Sequence, residues 1–170
     1  NMKFVERWHS DAFESREIAY QIYEDVKKKL KIIPHPYTGW RSFPNQRLKT
    51  ININENGLRS KSLNKLKFDK NCFFLGGSVA WGFGSSSNEN TPAYKLEHFL
   101  NKEHKLNFNV INLSEQSHSS IEEMNAFISA YNELEPKIVV IFSGCNDMNF
   151  EYEKKYKKFE LSESVLNFYL

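Results

Sequence analysis

Three short polar strings carry residue types suited to nucleophilic chemistry: Gly76-Gly77-Ser78, the stretch Ser114 to Ser120, and Gly144-Cys145-Asn146-Asp147. A serine hydroxyl beside glycines is open to an approaching carbonyl, because small neighbours leave room around it. Attack on a carbonyl builds negative charge on its oxygen, and that charge needs donors aimed at it. The backbone N–H of Ser78, an N–H near Ser117 and the side-chain amide of Asn146 are three such donors on this reading. The bland alternative is a structural or phosphate-binding glycine turn with Asn146 as a helix cap. Each string taken alone carries little weight.

What would bring the strings together is the set of elements before them. Asn71 to Leu75 is a short apolar run ending at Gly76, Phe108 to Leu113 is a second run, and Lys137 to Ser143 is a third. Thr91-Pro92 opens a helix between the first two, with Thr91 as N-cap and proline at the first helical position. Ser119 or Ser120, each with a glutamate three residues on, opens another between the second and third. Continuous apolar runs separated by helices predict a parallel sheet covered on both faces. In such a sheet the strands' carboxyl ends share one edge, so the loops bearing Ser78, Ser117 and Asn146 are expected to converge there.

Upstream, Ile18, Ile22, Val26 and Leu30 recur at helical spacing, which predicts one amphipathic helix over the first 33 residues, begun by Asp11 with Glu14 as a capping box. Lys27, Lys28, Lys29 and Lys31 read as its solvated face. Residues 34 to 60 read as a loop with a short extended piece near Leu48 to Ile53 and a turn at Asn56-Gly57. Residues 1–70 are expected to form a helix and leader segment on the core made by 71–170, together one domain.

The remaining candidates are weaker. His118 sits beside the proposed donor position, and Glu115-x-x-His118 imitates an orienting carboxylate and a base; a pocket-lining or surface role is the default, because base work needs hydrogen-bond reach to Ser78. Gly77, Trp81, His118 and Asp147 are candidates to line the pocket. Trp81 is either a platform for substrate or a residue packed on the first helix. Asp147 is expected to cap a helix or bind loop N–H groups, and Arg59 reads as structural by default. No histidine and cysteine spacing suits zinc, so no metal is expected. Cys72 and Cys145 fall at opposite ends of their predicted strands, which argues against a disulfide and fits a reducing compartment.

The three strings together resemble the SGNH (GDSL-type) hydrolase superfamily over roughly residues 34 to 150. Phe74-Leu75-Gly76-Gly77-Ser78 with Gly82 is similar to its first block, Val110 to Ser120 to its second, and Gly144-Cys145-Asn146-Asp147 to its Gly-x-Asn-Asp block. Pro36 to Arg41 and Asn54 to Arg59 resemble the leader of bacterial members associated with surface polysaccharides. The resemblance implies a flavodoxin-like three-layer α/β/α sandwich and acyl chemistry without metal or organic cofactor, with Ser78 as nucleophile and Ser117 and Asn146 beside it in the oxyanion hole. Gly77 stands where the commoner form has aspartate, and Ser117 where the family has glycine. The family's Asp-x-x-His block, which holds its base, occurs nowhere in this chain. The sheet is therefore expected to be incomplete at the C-terminus.

The chain has 170 residues, with 23 Lys and Arg against 21 Asp and Glu, so its net charge of +2 offers no bulk grip on nucleic acid. No apolar run is long enough to span a membrane, and no signal peptide is visible, from which a cytoplasmic location is expected. The leading expectation is a serine esterase or O-acyl hydrolase or transferase acting on a small-molecule or glycan ester. Against it stand a non-catalytic carbohydrate-binding or assembly module, a truncated inactive fragment and, last, a nucleotide binder. An incomplete sheet would leave an open edge strand, which invites a homo-oligomer.

Overall fold

The computed structural model describes residues 13–148. Ser15 accepts a hydrogen bond from the Ile18 N–H and so starts helix α1 (Arg16–Glu24). The Asp11–Glu14 box expected from sequence lies partly outside the described residues, and the described cap is Ser15. Helix α1 runs on into a π turn, Asp25–Lys29, and ends there rather than near residue 33. The early end has a cause. Asp25 is buried at the π turn, and its carboxylate accepts from the N–H and hydroxyl of Thr50 and from Gln21. Burial pushes this carboxyl up, but those hydrogen bonds outweigh it and hold Asp25 below its ordinary range. Ala19, Ile22 and Val26 face inward, Ile22 and Val26 packing with Ile51, Ile53 and Trp81. The lysines of the last turn are exposed, as their clustering predicts.

The segment expected to be loop begins with a hairpin: β1 (Ile32–His35) pairs antiparallel with β2 (Gly39–Ser42). Pro34 is tolerated because this sheet has only two strands, so the missing N–H costs no inner ladder bond. Thr38 closes the turn, its hydroxyl lying 2.8 Å from His35 Nδ1. Further along, Arg47 and Asn52 form an isolated bridge, the short extended piece foreseen there.

The core follows the expected order. Strand β3 (Lys70–Gly76) leads into the single turn α2 (Ser78–Trp81). Thr91 caps α3 (Pro92–His98), which a π turn Phe99–Glu103 prolongs. Strand β4 (Phe108–Asn112) then precedes α4 (Ser120–Leu134) and β5 (Pro136–Phe142). Ser119 and Glu122 form the capping box at the head of α4. The strands lie side by side in the order β4-β3-β5, all parallel. Alternate residues of β3 point to opposite faces: Cys72 and Phe74 pack with Leu96 and Leu100 below, Phe73 and Leu75 with Phe127 and Ala130 above. The described residues thus form a mixed α/β fold whose three-stranded parallel sheet has helices on both faces. No helix among them is long and apolar enough to cross a membrane.

Arg59 joins the leader to this core. Its guanidinium lies 4.6 Å over the Trp81 ring, donates to the carbonyls of Gly82 and Thr50 at 2.7 Å each, and is 2 % exposed. Burial lowers its pKa to about 10, so it stays charged at neutral pH. Removing it orphans several buried carbonyls at once. Arg59→Leu is therefore expected to destabilise the fold by about 3 kcal/mol, read from the urea midpoint. An unchanged midpoint would contradict this role.

Candidate functional site

The site is built from loops leaving β3, β4 and β5 at one edge. Strand β3 ends at Gly76, where a Cβ would lie 2.3 Å from the Phe142 carbonyl oxygen and 2.5 Å from Ala80. Only a residue without a side chain lets β3 end so close to β5. Gly77 is close-packed against the movable end of a side chain. A Cβ there would meet Asn146 Nδ2 at 2.5 Å and the His118 carbonyl oxygen at 3.3 Å. That single position brings together the turn before Ser78, the loop after β4 and the amide after β5. Ser78, Ser117 and Asn146 are all half-buried.

The loop after β4 passes over the end of β3. The Leu113 N–H and the Ser114 hydroxyl donate to the Phe74 carbonyl, and the Glu115 N–H donates to that of Gly76. Glu115 turns its carboxylate inward, where Oε2 accepts from the Ser42 N–H and hydroxyl at 2.7 Å each and Oε1 accepts from the Gln116 N–H at 2.9 Å. Burial raises its pKa in spite of these bonds. The Trp40 indole N–H donates to the Gln116 carbonyl at 2.8 Å. His118 Nε2 lies 3.2 Å from the Trp40 carbonyl oxygen, and the two rings meet edge-on with centroids 5.3 Å apart. The β1–β2 hairpin therefore sets the shape of this loop.

Ser117 occupies the turn itself with φ +61°, the left-handed region that costs a side-chain-bearing residue about 1 kcal/mol. A serine is held where glycine would be relaxed. After β5, Gly144 takes φ +109° and a helical turn begins at residue 145. Within it Asn146 Nδ2 donates to the His118 carbonyl at 2.7 Å, which uses one amide hydrogen and leaves the other. Asp147 accepts from the N–H and hydroxyl of Ser120, fastening this turn to the head of α4. Those bonds hold its carboxyl below the ordinary range.

Two pocket candidates fall elsewhere. Trp81 is fully buried among Ile22, Val26, Ile51 and Ile53, so the alternative of packing on the first helix is the one that forms, and no ring face is offered to a ligand. His118 is 2 % exposed, and burial lowers its pKa to about 4. Its ring faces Trp40 while Glu115 faces Ser42, so the pair does not make the carboxylate–base arrangement that its spacing imitates. A polar cavity of about 390 Å³ lies away from this edge, between the leader and α3; none of Gly77, Ser78, Ser117 or Asn146 lines it. Lys61 and Glu97 in its wall pair at 2.7 Å. No group of His, Cys, Asp or Glu among the described residues is arranged to hold a metal ion. Sequence reasoning missed Trp40 and Ser42; the Tyr37-Thr38-Gly39 turn between Ile33 and Trp40 was the available hairpin signal.

Two outcomes follow for the loop. With its folded pKa depressed to about 4 from about 6.5 when unfolded, His118 binds fewer protons in the folded state. Its contribution to stability is full above pH 6.5 or so and is lost as pH falls toward 4. Imidazole NMR signals of His118 should stay in the neutral position from pH 8 to 5, and a midpoint near 6.5 would contradict this burial. Ser117→Gly should raise stability by about 0.5 kcal/mol, strain relief exceeding the entropy that glycine adds to the unfolded chain; a loss above about 1 kcal/mol in denaturant melts would show that the turn is unstrained.

No protein-family model matches the chain, and no curated protein matches it. Among solved structures it is similar to that of a candidate GDSL-like lipase from Parabacteroides merdae, at 17% identity and a TM-score of 0.36. That match covers 55% of this chain and spans just under half, 47%, of the other.

Proposed function

We propose that the chain carries the nucleophile and oxyanion side of an SGNH-like serine esterase or O-acyltransferase site, acting on an ester of the O-acylated glycan or small-molecule class. The observation that supports this reading is the close approach at Gly77, where the amide of Asn146 is set against the turn that presents Ser78. In the proposed reaction Ser78 Oγ attacks the acyl carbon and forms a new C–O bond. The carbonyl oxygen becomes an oxyanion, met by the N–H of Ser78, the N–H of Ser117 and the free amide hydrogen of Asn146. Collapse expels the alcohol, which takes up the proton lost by Ser78, and water or a sugar hydroxyl then accepts the acyl group from the serine.

The proton lost by Ser78 needs an acceptor, and His118 is poorly placed for that task. Its Nε2 is spent on the Trp40 carbonyl and its ring is buried. A general base is worth about 10²–10⁴ in rate, so the chain by itself is expected to turn over p-nitrophenyl acetate only slowly. The same observation favours a second reading, a non-catalytic carbohydrate-binding module on this scaffold.

A fluorophosphonate probe separates the two. Labelling of the full chain that disappears in Ser78→Ala and slows by about 100-fold in Asn146→Ala supports the esterase reading. Equal labelling of Ser78→Ala ends it. Glycan binding that persists in Ser78→Ala, with no labelling of either protein, establishes the binding module instead.

A further inference from the structure

Strand β2 meets the loop after β4 with alternate residues. Trp40 and Ser42, two apart in the strand, share one face of the hairpin, and both are buried. Ser42 gives Glu115 two donors at 2.7 Å each. Trp40 takes hold of the loop at the two residues that flank Ser117. Its indole N–H donates to the Gln116 carbonyl at 2.8 Å, and its own carbonyl oxygen lies 3.2 Å from His118 Nε2. A carbonyl only accepts, so that ring nitrogen carries the imidazole hydrogen. One leader residue thus grips the loop on both sides of Ser117.

The turn needs such a hold. Inside it the His118 N–H reaches the Glu115 carbonyl at 3.4 Å, long for a bond that closes a turn. Ser117 sits at φ +61°, where a residue with a side chain is strained. Released from its neighbours, the chain would relax that angle, and the peptide unit carrying the Ser117 N–H would turn with it. Among the described residues no backbone carbonyl accepts that N–H, so its direction is set through residues 116 and 118. His118 also offers its carbonyl to Asn146 Nδ2 at 2.7 Å. The grip on His118 therefore bears on both donors that lie outside the Ser78 turn.

We propose that Trp40 and Ser42 are positioning residues of the oxyanion site: by clamping Glu115, Gln116 and His118 they aim the N–H of Ser117 at the place where charge develops. This rests on the reaction proposed for Ser78 and adds to it two buried leader residues that act through the loop. A donor held in place before the reaction gives its full electrostatic benefit, whereas one that must be ordered during the reaction gives less. Loosening the clamp therefore slows the chemical step and leaves binding of the reagent alone. Burial of the two side chains would by itself predict an effect on stability. The two bonds astride Ser117 predict an effect on rate.

Trp40→Phe keeps a ring and the carbonyl but removes the indole N–H. Fluorophosphonate labelling of the full chain at Ser78 is expected to show kinact lowered about tenfold in this variant, with KI unchanged. Leu100→Ala is the control for stability. Leu100 packs on the sheet next to the chain that enters β4, at the end opposite the site. That truncation should lower the urea midpoint yet label at the wild-type rate. Should Trp40→Phe fail to fold, Ser42→Ala, which removes one of the two donors to Glu115, is expected to lower kinact about threefold, again with KI unchanged. A wild-type kinact in the variant that folds overturns the proposal, as does a loss that lies in KI or one that Leu100→Ala shares. A wild type that is not labelled at Ser78 is the failure of the reaction itself and ends this proposal with it, whereas a labelled wild type with an unaffected variant overturns this proposal alone.

Discussion

Glu115 is drawn out of water at the end of the sheet and met there by the N–H and hydroxyl of Ser42 and the N–H of Gln116. Burying a carboxylate is unfavourable by several kcal/mol or so unless donors surround it, and a buried acceptor set of this kind specifies where its donors must be. Everything at the candidate site hangs from that constraint. The hairpin is fixed against the loop after β4, the loop against the end of β3, and the His118 carbonyl becomes the fixed point to which Asn146 binds. The leader segment is thus part of the site although it contributes none of the reacting groups.

The sheet supplies the rest of the geometry. Three parallel strands end together, and two adjacent glycines remove the side chains that would hold their ends apart. At Gly77 a side chain fits only if the Asn146 amide moves aside. Among the three loops at this edge, Ser117 is the described non-glycine residue held at positive φ, and the hydrogen bonds of its neighbours over-determine the turn. Ser117 is half-buried in a loop whose other residues, from Ser114 to Ser119, are buried.

Much of this was legible in the sequence because it is written locally. The Asn71–Leu75 run, the Thr91-Pro92 start, the Ser119–Glu122 box and the Lys137–Ser143 run each declare themselves within a few residues, and the order of strands and helices then fixes a parallel sheet. The approach of Asn146 to the turn at Gly77 is of the kind that topology implies. What escaped depends on partners far along the chain. Asp25 finds Thr50, Glu115 finds Ser42 and Arg59 finds Gly82, and no periodicity announces such pairs. The hairpin was hidden by Pro34 and Pro36, which read as loop unless the sheet is known to have only two strands. Tyr94 and Phe99, apolar residues of the helix that Thr91-Pro92 opens and of the turn that prolongs it, are nonetheless exposed.

The two thiols of the chain live in opposite worlds. Cys72 lies wholly inside the sheet, and burial pushes its thiol up to about 11, so it holds its proton and meets no reagent. Cys145 is exposed, one residue before Asn146. A thiol-directed electrophilic dye would therefore act on this protein at one place, and any bulk or charge it leaves would land beside the Asn146 amide. The molecule carries its own handle for attaching a reporter where the chemistry is proposed to happen.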